Sequence, residues 1–227
     1  MVIKAIIFDL DGTLVEFKLD YKTERVEVSA WLAKQGIPVA ILLMEKGLFG
    51  ALRRMESYIK NIGKDETEMK RLREGVLSMA DRYEMKAVRE TDLIPGAFSA
   101  LKKLRDMKLK IALFTIDGEK ATSYALERFR IRRFFDAIAT RDSVPAVKPD
   151  PAHLKPVLQA LSIKPAEAIV VGDSVLDMRC ATRLKVPAVG VVTGISTSKE
   201  LIAAGASYLA SSAAEVPSLV RQLGRKT

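Results

Sequence analysis

The sequence predicts an α/β fold, a doubly wound parallel sheet interrupted by an inserted all-helical domain. Three observations predict it. Short, continuous apolar runs recur along the chain, as strands buried on both faces require. Beyond Pro95-Gly96 those runs alternate with amphipathic stretches to the C-terminus, which is the rhythm of a parallel sheet with crossover helices. Between the first run and the second lies a long charged stretch with helical spacing and no strand candidate. The predicted division is residues 1–15 with 92–227 for the α/β core, and 16–91 for the helical insertion.

Residues 3–8 form the first apolar run. It closes on Asp9 and an Asp11-Gly12 turn signal, so it reads as a buried strand. In the insertion, Tyr21 to Gln35 is predicted helical, with Val26, Ala30 and Leu32-Ala33 on its packed face and a stop at Gly36. Ile41 to Ile59 and Glu66 to Val88 carry similar stripes, with breaks expected at Gly47, Gly50 and Gly63. These stripes are assigned to helix-on-helix packing rather than to a cofactor. The joins to the core are expected near Val15-Glu16 and Thr91-Asp92. After Pro95-Gly96, helices are predicted over 97–107, 119–129, 151–161, 176–184, 198–203 and 214–223. Strands are predicted at 110–114, 135–139, 168–171 and 186–192 and around Tyr208.

Composition removes several function classes. The chain has 227 residues, 48% of them apolar, which is ample for a core. Its longest apolar run, Ile37 to Met44, contains Pro38 and falls far short of the roughly 18–20 residues of a membrane span. Asp9 interrupts the N-terminal apolar segment before a signal-peptide core could form. The single cysteine, Cys180, excludes an intrachain disulfide and a cysteine-based zinc site, and reads as a small buried hydrophobe. A cytoplasmic protein without a membrane partner is the expectation. The net charge of +9 favours anionic partners. That excess is spread along the chain, so no nucleic-acid partner is expected. One asparagine, Asn61, and few glutamines among many Lys, Arg and Glu make a thermophilic composition. The sequence leaves the oligomeric state open, with a monomer favoured.

In open α/β sheets, ligands gather beyond the carboxyl ends of the strands. The first predicted strand ends in Asp9-Leu10-Asp11-Gly12-Thr13, and the second in Thr115-Ile116-Asp117-Gly118. The strand at 168–171 ends in Gly172-Asp173-Ser174, with Asp177 four positions after Asp173. Lys148-Pro149 precedes the helix predicted from Pro151. Asp9, Asp11, Asp173 and Asp177 would thus converge with one hydroxyl and one lysine. Gathered carboxylates repel unless a cation or proton offsets them. Oxygen donors without His or Cys favour a hard ion, magnesium before calcium or manganese. A carboxylate can attack phosphorus to give an aspartyl phosphate, while lysine and hydroxyl groups hold the phosphoryl oxygens. Residue types alone leave open which aspartate attacks.

These ordered motifs resemble the haloacid dehalogenase superfamily, in particular its magnesium-dependent phosphatases with a helical cap, such as phosphoglycolate phosphatase, and the similarly capped β-phosphoglucomutase. The resemblance runs in order through Asp9-Leu10-Asp11-Gly12-Thr13, Thr115, Lys148-Pro149 and Gly172-Asp173 with Asp177. It implies a Rossmann-like core and Asp9 as the nucleophile, carrying a phosphoaspartate. It further implies that Asp11 is the acid for the leaving oxygen and then the base for water. Thr115, the backbone at Ile116 and Lys148 would hold the phosphoryl group. Magnesium would be held by the carboxylates of Asp9 and Asp173 and the backbone carbonyl of Asp11, with Asp177 in support. The implied partner is a small phosphorylated metabolite.

One departure stands out. Many capped phosphatases of this kind carry Asn after the threonine, where this chain has Ile116 and then Asp117, an extra acid expected near the site. Hydrolysis of a small phosphate monoester is the leading reading. A phosphotransferase of the β-phosphoglucomutase type and a non-catalytic polyanion binder are the alternatives. Lys46, Arg53 and Arg54, near the Gly47 and Gly50 breaks, are candidate anion contacts. His153 is expected to be a surface residue at a helix start.

Overall fold

Ala5–Phe8 (β1) is an uninterrupted apolar run with no exposed surface, as a central strand needs. Burying Ile6, Ile7 and Phe8 contributes about 1.5–3 kcal/mol each. The other strands are Lys110–Phe114 (β2), Ala137–Ala139 (β3), Ala168–Gly172 (β4), Ala188–Val191 (β5) and Tyr208–Ala210 (β6). They form one parallel sheet in the order β3-β2-β1-β4-β5-β6. Register pairs Phe8 with Leu113 on one side and with Val171 on the other, so β2 and β4 each run one residue past the end of β1. The sheet is the doubly wound arrangement that the apolar runs predicted.

This computed structural model describes residues 2–43, 47–63 and 65–225. The chain divides into two units, 1–18 with 88–227 and 19–87. The second is helical: Tyr21–Lys34 (α1), Val39–Leu43 (α2), Leu48–Asn61 (α3) and the larger part of Glu66–Glu90 (α4). Its core joins Val28, Leu32, Ile37, Leu42, Met55, Ile59, Leu72 and Val76, with Trp31 packed against them. Two expectations are corrected here. Val26 is 70% exposed, and α1 instead buries Glu24, Val28 and Leu32, one residue per turn. Gly50 does not break a helix but lies buried inside α3, which starts just after Gly47.

The first unit adds Ala97–Asp106 (α5), Glu119–Arg128 (α6), Lys155–Ala160 (α7), Val175–Arg183 (α8), Ser198–Ala203 (α9) and Val216–Arg225 (α10). Ala5, Ile7, Ala112, Phe114, Ala168 and Val170 face one layer, where Leu154, Val157, Leu158, Leu161, Met178 and Cys180 pack. Ile6, Phe8, Ile111 and Leu113 alternate with them and face the opposite layer. The two joins between the units run side by side. Val15 bridges Leu93, the Glu16 N–H donates to Asp92 O at 2.9 Å, and the Ile94 N–H donates to Leu14 O at 3.0 Å.

Candidate active site

Strand order reverses between β1 and β4, because β2 and β3 lie on one side and β5 and β6 on the other. At such a switch point the loops leaving two neighbouring strands diverge and open a crevice. Asp9 and Asp173 are the first residues past those two strands. The Asp9 N–H extends the ladder by donating to Val171 O at 2.9 Å, which fixes where its carboxylate starts. Asp9 and Asp173 are buried, and Asp177, on the first turn of α8, has no exposed surface.

Lys148 is the cation among them. Its Nζ donates to Asp9 Oδ1 and to Asp177 Oδ1, both at 2.6 Å, and lies 4.1 Å from the centre of the Phe114 ring. Burial alone would lower this ammonium, but Asp177 and Asp9 outweigh it and hold it above the ordinary lysine value. Burial holds the Asp9 carboxyl well above the usual range, against the pull of Lys148. Burial, and then the Asp177 charge, push Asp173 up to about 6.

Asp177 is also gripped by its own turn, and Asp173 by the loops after β5 and β1. The Ser174 N–H and Oγ donate to Asp177 Oδ2 at 3.0 and 2.6 Å. The Ile195 N–H donates to Asp173 Oδ2 at 2.8 Å, and Thr13 Oγ1 reaches Asp173 Oδ1 at 3.5 Å. The Thr193 hydroxyl donates to Gly12 O at 2.6 Å, tying the loop after β5 to the loop after β1. Gly194 has to be glycine for this approach: a Cβ there would stand 1.8 Å from Asp173 Oδ2. The segment Thr193-Gly194-Ile195 was missed by sequence reasoning. The small-residue signal directly after a predicted strand would have found it.

Carboxylate oxygens of Asp9, Asp173 and Asp177 can lie within 4.8 Å of one another. One ammonium against three buried carboxylates leaves negative charge uncompensated, and an all-oxygen donor set suits a hard divalent ion. The residues present therefore fit a metal of the magnesium type. Asp11 is half-buried, and its carboxyl hydrogen-bonds that of Asp117.

On the other side of β1, the Thr115 N–H donates to Ala139 O at 2.9 Å, and the Thr115 hydroxyl accepts from the Asp117 N–H at 3.2 Å. Asp117 is buried, and burial raises its carboxyl while the bond to Asp11 opposes the rise. The Ile116 carbonyl faces buried Arg141 at 3.5 Å. His153 is not on the surface: it is wholly buried. Pro151 starts a turn rather than a helix, and α7 begins only at Lys155, so the ring turns inward. Burial, and then the Lys148 charge, push its imidazole down to about 3. Cys180 is buried as expected, its thiol 3.3 Å from Asp150 O. In the insertion, Arg53 and Arg54 are exposed on α3, and Lys46 lies outside the described residues. Among the described residues no helix is long and apolar enough to cross a membrane.

Known proteins resemble this chain in sequence and in fold. Residues 6–191 match the family described as haloacid dehalogenase-like hydrolase. A phosphoglycolate phosphatase of Pseudomonas savastanoi pv. phaseolicola is 31% identical over 198 residues, 84% of this chain and 70% of that protein. One from Psychrobacter arcticus is 28% identical over 208 residues, 87% of each. Among solved structures, a hydrolase from Pseudomonas syringae superposes with a TM-score of 0.70 at 25% identity, covering 97% of this chain and 99% of that one. A HAD-superfamily hydrolase from Ehrlichia chaffeensis, at 19% identity and a TM-score of 0.61 over 98% of each chain, shares the fold. A match that starts inside β1 and runs through β5, joined to relatives at this identity and coverage, makes the chain a member of the haloacid dehalogenase-like hydrolases.

Proposed function

We propose that the chain is a magnesium-dependent phosphatase that hydrolyses a small phosphate monoester through a phosphoaspartate on Asp9. The observation that carries this reading is the Asp9 carboxylate at the switch point, held at 2.6 Å by a buried lysine that Asp177 also grips. Lys148 restrains Asp9 in one orientation and supplies positive charge where phosphoryl oxygens would arrive. An Asp9 oxygen attacks phosphorus, and the bond to the leaving oxygen breaks as Asp11 delivers a proton to it. Water then attacks the acyl phosphate, Asp11 takes the water proton, and Asp9 and inorganic phosphate are released. Asp117, bonded to the Asp11 carboxyl, keeps that group in place between the two steps. Thr115 and the backbone at Ile116 offer further contacts to the phosphoryl group. Asp9, Asp173 and the Asp11 carbonyl would hold magnesium, with Asp177 in support. When bound, the ion offsets charge developing on the phosphoryl oxygens. The relatives named phosphoglycolate phosphatase make phosphoglycolate the first substrate to assay, beside sugar phosphates and nucleotides.

The test is hydrolysis of an aryl phosphate with and without metal. Chelation is expected to abolish turnover and magnesium to restore it, while Asp9→Asn yields no covalent phosphate by rapid quench. Asp11→Asn is expected to lose about 10²–10⁴ in turnover. Full activity after exhaustive chelation, or label retained on Asp9→Asn, would overturn the reading.

A further inference from the structure

Outside the acid cluster, the His153 imidazole is a buried polar group with partners on both ring nitrogens. It is the only histidine in the chain, and it has no exposed surface. The Lys148 N–H points at its Nδ1 at 3.2 Å. An amide N–H only donates, so Nδ1 must be the unprotonated nitrogen and Nε2 must carry the hydrogen. That second nitrogen lies 3.3 Å from Ala139 O. The same carbonyl accepts the Thr115 N–H at 2.9 Å. One neutral ring thus links the backbone of Lys148 to the carbonyl that fixes the backbone of Thr115.

The ring also packs edge-on against Phe114, with centres 5.6 Å apart at 61°, and the face of Phe114 carries the Lys148 ammonium. His153 therefore meets Lys148 at both ends: at its backbone by a hydrogen bond, and near its ammonium through Phe114. A leucine could fill this volume but could not make either polar link. A buried N–H left without an acceptor is unfavourable, so the Lys148 loop would shift to find one.

We propose that His153 is a positioning residue, a neutral bridge that sets Lys148 and Thr115 at their mutual spacing for holding a phosphoryl group. It touches neither substrate nor metal and acts through these two residues. The inference rests on the phosphatase reading for its kinetic consequence, but not for its geometry.

Three substitutions separate its parts. His153→Leu keeps the bulk and removes both links, His153→Asn keeps an acceptor near the Nδ1 position, and His153→Gln keeps a donor near Nε2. With the magnesium-loaded protein and an aryl phosphate, His153→Leu is expected to lose about 10–100-fold in kcat/KM, the scale of a misplacement near 1 Å. His153→Asn, which restores the acceptor for the Lys148 N–H, is expected to recover most of that loss. In a Lys148→Ala background the same His153→Leu change should lower kcat/KM by a clearly smaller factor than in the wild type, because one of the two groups it acts through is gone while Thr115 remains. An equal fold-loss in both backgrounds would mean His153 acts independently of Lys148 and would overturn the proposal. So would a folded His153→Leu protein with wild-type kcat/KM. Imidazole ¹⁵N NMR on the wild-type protein reads the bridge without any turnover: protonated Nε2 and bare Nδ1 are expected, and the opposite tautomer refutes it. Should the wild type hydrolyse no ester at all, the phosphatase reading falls, whereas the tautomer still decides the bridge.

Discussion

Both units of this chain carry exposed ion pairs, and the α/β unit adds a buried cluster that serves a different end. In the helical unit, Arg82–Glu27 has its side chains 60% and 41% exposed, and Arg71–Glu68 and Arg73–Glu56 lie similarly open on helix surfaces. In the α/β unit, Lys148 meets Asp9 and Asp177 with side chains 3%, 9% and 0% exposed. Water and salt screen the first kind, which adds little to stability. Removing one partner of the second kind strands charge away from solvent. Charge on the helices serves solubility and small increments of stability. Charge at the switch point is held against a solvation cost, and a group so held is poised to meet another charge.

The largest expected break in this contrast comes from Lys148→Met. It removes the ammonium from among three carboxylates and should lower aryl-phosphate turnover by at least about 10². Measured by urea unfolding without metal, the loss of stability is expected to be about 3 kcal/mol. A loss below that of an exposed pair would show that the buried cluster is not interdependent.

A smaller effect sharpens the comparison through pH. The His153 value is about 3, below the ordinary 6.5, so the unfolded chain binds this proton first. Stability is therefore fully present above pH 6.5 and declines as pH falls toward 3. At pH 5 the decline is about 2 kcal/mol. Asp9 and Asp173, raised by burial, titrate with the opposite sign. The measurement is thus the difference between wild type and His153→Gln at each pH, which should narrow from pH 7 to pH 5. A constant difference would contradict a neutral buried ring.

The smallest effect belongs to the exposed pairs. Arg71→Ala is expected to lower the unfolding midpoint only slightly, and by less still in 1 M salt, whereas the Lys148→Met penalty should hardly respond to salt. Chemical denaturation at two ionic strengths checks both.

Much of this was legible in the residues. Lys110–Phe114 and Ser198–Ala203 were predicted to the residue, because each is bounded by clear signals and has a single period. Asp9, Lys148, Asp173 and Asp177 stood out because chemistry at strand ends is local and ordered in sequence. What was not legible depends on contacts far along the chain. Whether His153 faces water or Ala139 turns on the four-residue turn that delays α7. The grip of Ile195 on Asp173 depends on two loops that meet only in the folded sheet. Helix ends split the same way. Gly36 marks the end of α1 openly, but α5, α6, α7 and α8 are followed by Lys108, Arg130, Ser162 and Lys185 in the left-handed region. No propensity marks these residues for that backbone, and only the return into the next element imposes it.

The paired joins at Val15–Leu93 and Glu16–Asp92 have a consequence for how the chain assembles. β1 is synthesised first, yet both of its neighbours, β2 and β4, come much later. Closing so long a gap would normally carry an entropic cost that grows with the logarithm of its length. Here residues 19–87 form a compact unit, and the chain leaves and re-enters the α/β unit at one hydrogen-bonded point. Once that unit is folded, the gap between β1 and β2 behaves as a short connection, and the aspartate-bearing strand finds its partner as if the intervening residues were a tight turn.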